Sequence, residues 1–194
     1  MTNYRRSSIP GGSYFFTVNL ADRSSRLLTD HIDALRAAFR YTRRRHPFVI
    51  EAIVVLPDHL HAICTLPDGD ADFALRWRLI KAAFSRALPS GEPISPSRSR
   101  KAERGIWQRR YWEHAIRDET DFARHVEYIH INPVKHRLVD RVRDWARPRF
   151  IVTWSLATIQ PIGPAISRRR RQAASARDDG FRSAQPILRM NITT

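Results

Sequence analysis

The 194-residue sequence is poor in the features that would tie it to a membrane or an oxidising compartment. It has one cysteine, Cys64, which excludes a disulfide framework and a cysteine-based zinc module and fits a reducing cytosol. No apolar run approaches the roughly 18 residues of a membrane span, and the opening MTNYRRSSIPGG lacks the apolar stretch of a secretory signal. A cytoplasmic protein without a membrane partner is therefore expected. Acidic residues are also scarce, 19 against 34 Lys plus Arg, so the net charge is +15.

So basic a chain favours a polyanionic partner, because neutralised phosphates release condensed counterions and supply affinity independent of sequence. The charge is unevenly spread. Residues 1–145 carry 25 basic and 17 acidic residues, net +8, whereas residues 146–194 carry 9 and 2, net +7. Almost half the excess lies in the last quarter of the chain, where apolar periodicity weakens and Arg168, Arg169, Arg170 and Arg171 follow one another. We read 1–145 as the folded domain and 146–194 as a divergent, disordered basic tail.

Within the first part, YFFTVNL at 14–20 is an aromatic and β-branched run that predicts a strand. Ile32, Leu35, Ala38 and Phe39 recur at helical spacing after an N-cap at Thr29 or Asp30, until Pro47 stops the pattern. Residues 48–56 and 59–66 predict two strands of a hairpin turned at Pro57 and Asp58. A helix is predicted over 70–88 with Arg76, Arg78 and Lys81 outward, a loop over 89–103, a strand with an irregular start over 107–116, and a helix over 119–132. That last helix is capped by Asp118 or Thr120 and ended by Pro133. The order β-α-β-β-α-β-α predicts an α+β fold, a ferredoxin-like sandwich with a central antiparallel sheet.

Two groups of residues in this frame suggest chemistry. His59 and His61 are two apart on a strand, so both imidazoles face one side of the sheet, close enough to share a divalent cation. Spacing alone leaves open a plain structural pair. On the last helix Phe122, Val126 and Ile129 form the stripe to be buried, with His125, Tyr128 and Asn132 beside it. A tyrosine at such a border is ordinarily packing, yet Tyr128 and Asn132 are one turn apart and project to the same place. If this helix crosses the histidine face, Asn132 can complete a metal site with Tyr128 beside it. That arrangement suits phosphoryl transfer, since a phenol of pKa about 10 needs its target phosphate polarised.

PDHLHAI, at 57–63, resembles the HUH motif, two histidines flanking a hydrophobic residue, and HVEYIHINPVKHRLV resembles the tyrosine helix of single-tyrosine HUH transposases. With YRRSSIPGGSYFFTVNLADR, EAIVVLPDHLHAICTLPDGD and IWQRRYWEHAIRDETDFARHVEYIHINPVKHRLV in this order, the chain is similar to the REP-associated tyrosine transposases from about Tyr4 to Trp145. The resemblance implies that Tyr128 attacks a phosphodiester of single-stranded DNA to give a 5′-phosphotyrosine, with Mg2+ or Mn2+ on His59, His61 and Asn132. It further implies a hairpin substrate of the repetitive extragenic palindrome (REP) type, a bacterial, nucleoid-associated location, and a monomer or homodimer. The alternative of another class is a non-catalytic DNA-hairpin binding protein; a hydrolytic histidine-metal nuclease with water as nucleophile is a third.

Expected DNA contacts are Arg5 and Arg6, the cluster Arg43, Arg44 and Arg45, the segment from Arg98 to Arg104, and Arg109 with Arg110, all through phosphates. Trp107, Tyr111 or Trp112 could stack on unpaired bases. Each also has a plain reading, as solvated arginines or core aromatics.

The resemblance fails after RDW at 143–145. Family members continue there with a segment resembling SSFHRYVxxGxYPxDW, where this chain has ARPRFIVTWSLATIQPIGP. Reading the third base of each codon with the first two of the next, the codons of residues 148–164 can be chosen to spell SFHRYVVAGDYPADWA. A frameshift near residues 146–149 is therefore expected, and the nucleotide sequence of the gene decides it.

Overall fold

Alternation of apolar side chains along short runs builds the sheet, and the two faces of that sheet receive different covers. The computed structural model describes residues 8–92, 94–101, 103–145 and, for the backbone only, 151–153. The chain divides into two compact units, 1–158 and 159–194, and every described residue lies in the first. Most of the tail expected from 146 onward thus lies outside the described residues. The exception is Ile151–Thr153, which forms a strand.

The elements are β1 (Ser13–Asn19), α1 (Leu27–Asp30), α2 (Ile32–Arg45), β2 (Val49–Val55), β3 (His59–Thr65), α3 (Phe73–Ala87), α4 (Pro96–Ser99), β4 (Trp112–Ala115), α5 (Glu119–Lys135), α6 (Val142–Trp145) and β5 (Ile151–Thr153). The sheet is antiparallel with strand order β4-β1-β3-β2-β5. Its first four strands give the ferredoxin-like sandwich that the element order predicts. Among the described residues no helix is long and apolar enough to cross a membrane.

Tyr14, Phe16 and Val18 point to one face, where Phe39, Phe73, Trp77, Ile80 and Phe84 of α2 and α3 seal the larger core. Phe15 points to the other, where Ala52, Val54, Leu56 and Ile63 meet Ile129 of α5 in a smaller one. His59 and His61, in step with Ile63, belong to this second face.

Local differences from the expectations have identifiable causes. Thr29 and Asp30 cap no helix: they lie in the short turn α1, and α2 starts after a break at His31. Arg76 is buried rather than outward, because its guanidinium donates to Pro47 O, Asp72 O and the Asp70 carboxylate. Buried and bonded through all three of its nitrogens, it fastens α3 to the turn before β2. Pro133 does not end α5, which runs one residue pair further to Lys135. A helix tolerates one missing N–H where its end is otherwise closed, and here Leu138 N donates to Pro133 O at 2.9 Å and Arg137 N to Val134 O at 2.8 Å. This is a Schellman closure with Arg137 at φ 54°, the position at which glycine is usual. At the other end the Asp118 side chain accepts from Asp121 N at 2.8 Å, so of the two expected caps Asp118 is the one used.

Candidate active site

The β2–β3 hairpin and α5 carry the site. Strand alternation places His59 and His61 on the α5 side, each only 3% exposed, and helical periodicity brings Asn132, 0% exposed, onto them. Each histidine is oriented by a neighbour through Nδ1. His59 Nδ1 lies 2.7 Å from Asp58 Oδ1, and His61 Nδ1 lies 2.9 Å from Thr17 Oγ1 on β1. The Asp58 carboxylate can only accept, so His59 carries its proton on Nδ1; with Thr17 Oγ1 accepting in the same way, His61 presents an Nε2 lone pair, the arrangement that metal-binding histidines use. Arg23 holds Asp58 in turn, Nε to Oδ2 2.8 Å, and also donates to Asn19, which pairs with His59 across the sheet.

Two buried atoms here, His61 Nε2 and Asn132 Oδ1, have no hydrogen-bond partner. Leaving such atoms unsatisfied costs about 1–3 kcal/mol each, and both are lone-pair donors of the type a divalent cation takes. Burial is the largest cause that pushes the His61 pKa down to about 3, helped by His59, His136 and Lys135 and opposed by the Asn132 amide. Burial likewise lowers His59, with Asp58 working against it. At neutral pH both rings are thus uncharged, as metal ligation requires. His59, His61 and Asn132 fit a divalent cation by these criteria.

Tyr128 stands beside this group. Its ring is 5.1 Å from that of His61 at 75° and 5.8 Å from Phe15 at 75°, while Lys135 Nζ lies 4.7 Å from its centroid. Asn132 Nδ2 donates to Tyr128 O at 3.3 Å, tying the two residues across one helical turn. The sequence-predicted quartet His59, His61, Tyr128 and Asn132 is therefore brought together by the fold.

The expected DNA contacts divide. Arg5 and Arg6 lie outside the described residues. Arg43, Arg44 and Arg45 are exposed, but at the end of α2, on the layer across the sheet from the histidines; Arg43 Nε donates to Phe48 O and the Arg45 guanidinium covers the Tyr41 ring. Trp107 corrects the expectation of base stacking. It is 7% exposed, packs on Phe84 at 5.4 Å and donates Nε1–H to Lys81 O, so neither ring face is open. Tyr111 packs against the same core. Within the segment from Arg98 to Arg104, these two end residues are used inside the protein: Arg98 donates to Arg104 O and Trp107 O, and Arg104 to Glu92, Leu88 O and Pro89 O. They pin the loop in which phosphate contacts were expected. Arg109 is exposed and paired with Glu103 at 2.7 Å, Arg110 is exposed, and Trp112 is 50% exposed.

Sequence reading missed Thr17, Arg23, Asp58, Lys135 and His136. The His136 ring is 4.9 Å from His59, at the C-cap of α5. Asp58 was legible only as a turn residue, although an acid directly before a histidine pair is itself a signal for an orienting carboxylate. Among the described residues, His114, Asp121 and His125 form a second group whose ligand atoms lie within 4.8 Å of one another. Here the three satisfy each other. His114 Nε2 and Arg117 N approach Asp121 Oδ2 at 2.8 and 2.9 Å, and His125 Nδ1 approaches Asp121 O at 2.8 Å. Although burial pushes the Asp121 carboxyl up, the hydrogen bonds from His114 and Arg117 hold it below its usual range. The group fastens the first turns of α5 to β4.

No family model matches the chain. A REP-associated tyrosine transposase of Escherichia coli is 50% identical over 150 residues, covering 77% of this chain and 83% of that protein. A Haemophilus influenzae protein assigned to the same family is 46% identical over 151 residues, covering 77% of this chain and 86% of its own length. A solved structure of a REP-associated tyrosine transposase bound to a REP hairpin superposes with a TM-score of 0.67 at 48% identity, covering 78% of this chain and 82% of that one. Identity this high over most of both partners' lengths, on a shared fold, places the chain among the REP-associated tyrosine transposases.

Proposed function

We propose that the chain cleaves and rejoins single-stranded DNA beside REP-type hairpins, with Tyr128 as nucleophile. The observation that carries this reading is the pair of buried, unpartnered atoms His61 Nε2 and Asn132 Oδ1 beside the Tyr128 ring, supported by relatives that are named transposases. A hairpin as partner is supported by the similar structure that holds one.

His59, His61 and Asn132 would hold Mg2+ or Mn2+, which supplies Lewis-acid polarisation of the scissile phosphate when bound. Asp58 keeps the His59 imidazole in the tautomer that ligation needs, and Thr17 orients the His61 ring. The Tyr128 oxygen attacks phosphorus, the bond from phosphorus to the 3′-oxygen breaks, the phenolic proton leaves to water and the departing 3′-oxygen takes one up. A phosphodiester becomes a phosphotyrosine ester of similar energy, so rejoining is the same step reversed and no nucleotide triphosphate is consumed. Lys135, beside the Tyr128 ring, adds positive charge where the phosphate would sit.

Incubation with a labelled REP hairpin oligonucleotide and Mn2+, followed by denaturing gel electrophoresis, tests the reading. The expected product is a protein–DNA adduct that Tyr128→Phe abolishes while hairpin binding persists. Binding without an adduct by the unaltered chain would instead establish a hairpin-binding protein, and cleavage surviving Tyr128→Phe a hydrolytic nuclease.

A further inference from the structure

We infer that Trp112 is the platform on which an unpaired base next to the scissile phosphate stacks; this deepens the DNA reading above and rests on it. Trp112 pairs with Thr17 and Thr17 with His61, so the three stand in one row across β4, β1 and β3, on the same face of the sheet. Two strand spacings put Trp112 about 10 Å from His61, a span that adjoining nucleotides of one strand cover.

Trp112 is 50% exposed, an unusual state for an indole, whereas Trp77 and Trp107 are 3% and 7% exposed. Yet its ring is held on two sides. The His114 imidazole lies parallel to it, at 4° and 5.8 Å between centroids, and the Phe15 ring meets it at 70° and 5.7 Å. His114 is itself fixed by Asp121 and by the parallel His125 ring at 4.8 Å. An aromatic plane held in place by neighbours, with half of its surface left to solvent, gives a base a surface that loses little entropy on stacking.

His114 follows Trp112 on the strand, so the indole's other face looks back toward residue 110. Because β4 runs antiparallel to β1, with Phe15 opposite His114 and Thr17 opposite Trp112, that direction leads toward Asn19 and its cross-strand partner His59. A base on this face therefore lies on the side of the histidines. The exposed Arg110 precedes it, of the charge that the backbone of such a nucleotide requires.

The test uses the full chain carrying Tyr128→Phe, so that binding is measured without cleavage, and two DNA probes: a REP hairpin with a short single-stranded flank, and the same hairpin without it. Trp112→Ala is expected to weaken binding of the flanked probe about tenfold and to leave the flankless probe unchanged, while Trp112→Phe retains most of the affinity. Abasic substitutions along the flank should find one position that weakens the Trp112 protein and leaves Trp112→Ala unaffected. Equal affinities of the Trp112 and Trp112→Ala proteins for the flanked probe would overturn the platform and leave the DNA reading standing, as would equal weakening on both probes, which marks a structural role. Failure of the Trp112 protein to bind either probe would overturn both. Thermal unfolding of each variant checks that the fold is intact.

Discussion

The two faces of the sheet are built to different standards. The face under α2 and α3 is closed by large apolar side chains, with Tyr14, Phe16, Ile80 and Phe84 at 0–1% exposure. The face under α5 has a smaller apolar core and places beside it His59, His61 and Asn132, among whose buried atoms His61 Nε2 and Asn132 Oδ1 go unpartnered. Burial without partners is unfavourable, and the fold accommodates it because the first face supplies the stability. The lesson is a division of labour within one sheet: side chains alternate, so each of β1 and β3 contributes one row to a core and the other to a site.

Removing material from each face in turn breaks this comparison. Phe84→Ala opens a cavity in the sealed face and should cost about 3–5 kcal/mol of stability, read by denaturant unfolding. A comparable loss is not expected from Tyr128→Phe, since Tyr128 is partly exposed and its ring is kept.

Acid probes the α5 face more selectively. The folded pKa of His61 is lowered to about 3, well under the value of about 6.5 of an unfolded chain. The unfolded state thus binds the proton first, so this contribution to stability is complete above pH about 6.5 and is lost as pH falls toward 3. At pH 5 the loss from His61 alone is on the order of 2 kcal/mol. His125, lowered chiefly by burial, acts in the same direction. Melting temperatures taken across this range in a chelator should fall accordingly, and a flat profile would show that the pocket admits water.

The smallest effect concerns the end of α5. Arg137 occupies the left-handed region, φ 54°, which costs a side-chain-bearing residue about 1 kcal/mol. Arg137→Gly should raise stability by about that amount in thermal unfolding, because the Schellman closure is kept while the strain is relieved.

How much of this was legible in the sequence differs by element. The β2–β3 hairpin, the Asp118 cap and the histidine pair follow from local alternation and turn chemistry, which short stretches of chain carry by themselves. Arg76 was misread because an arginine on a helix is ordinarily solvated; its three acceptors come from a turn and a helix start that only folding brings together. Trp107 and the loop arginines failed for the same reason. Composition identifies cations and aromatics, but not whether a carbonyl or a carboxylate elsewhere has already claimed them.

The sequence by itself determined the period-two placement of His59 and His61, the one-turn spacing of Tyr128 and Asn132 and the strand–helix order that makes this sandwich, since each depends on backbone periodicity alone. Only the tertiary structure decided that α5 crosses the histidine face, that Asp58, Thr17 and Arg23 orient the imidazoles, and that Trp112 rather than Trp107 keeps an open ring. Those outcomes depend on distances between segments far apart in the chain, set by packing across the sheet.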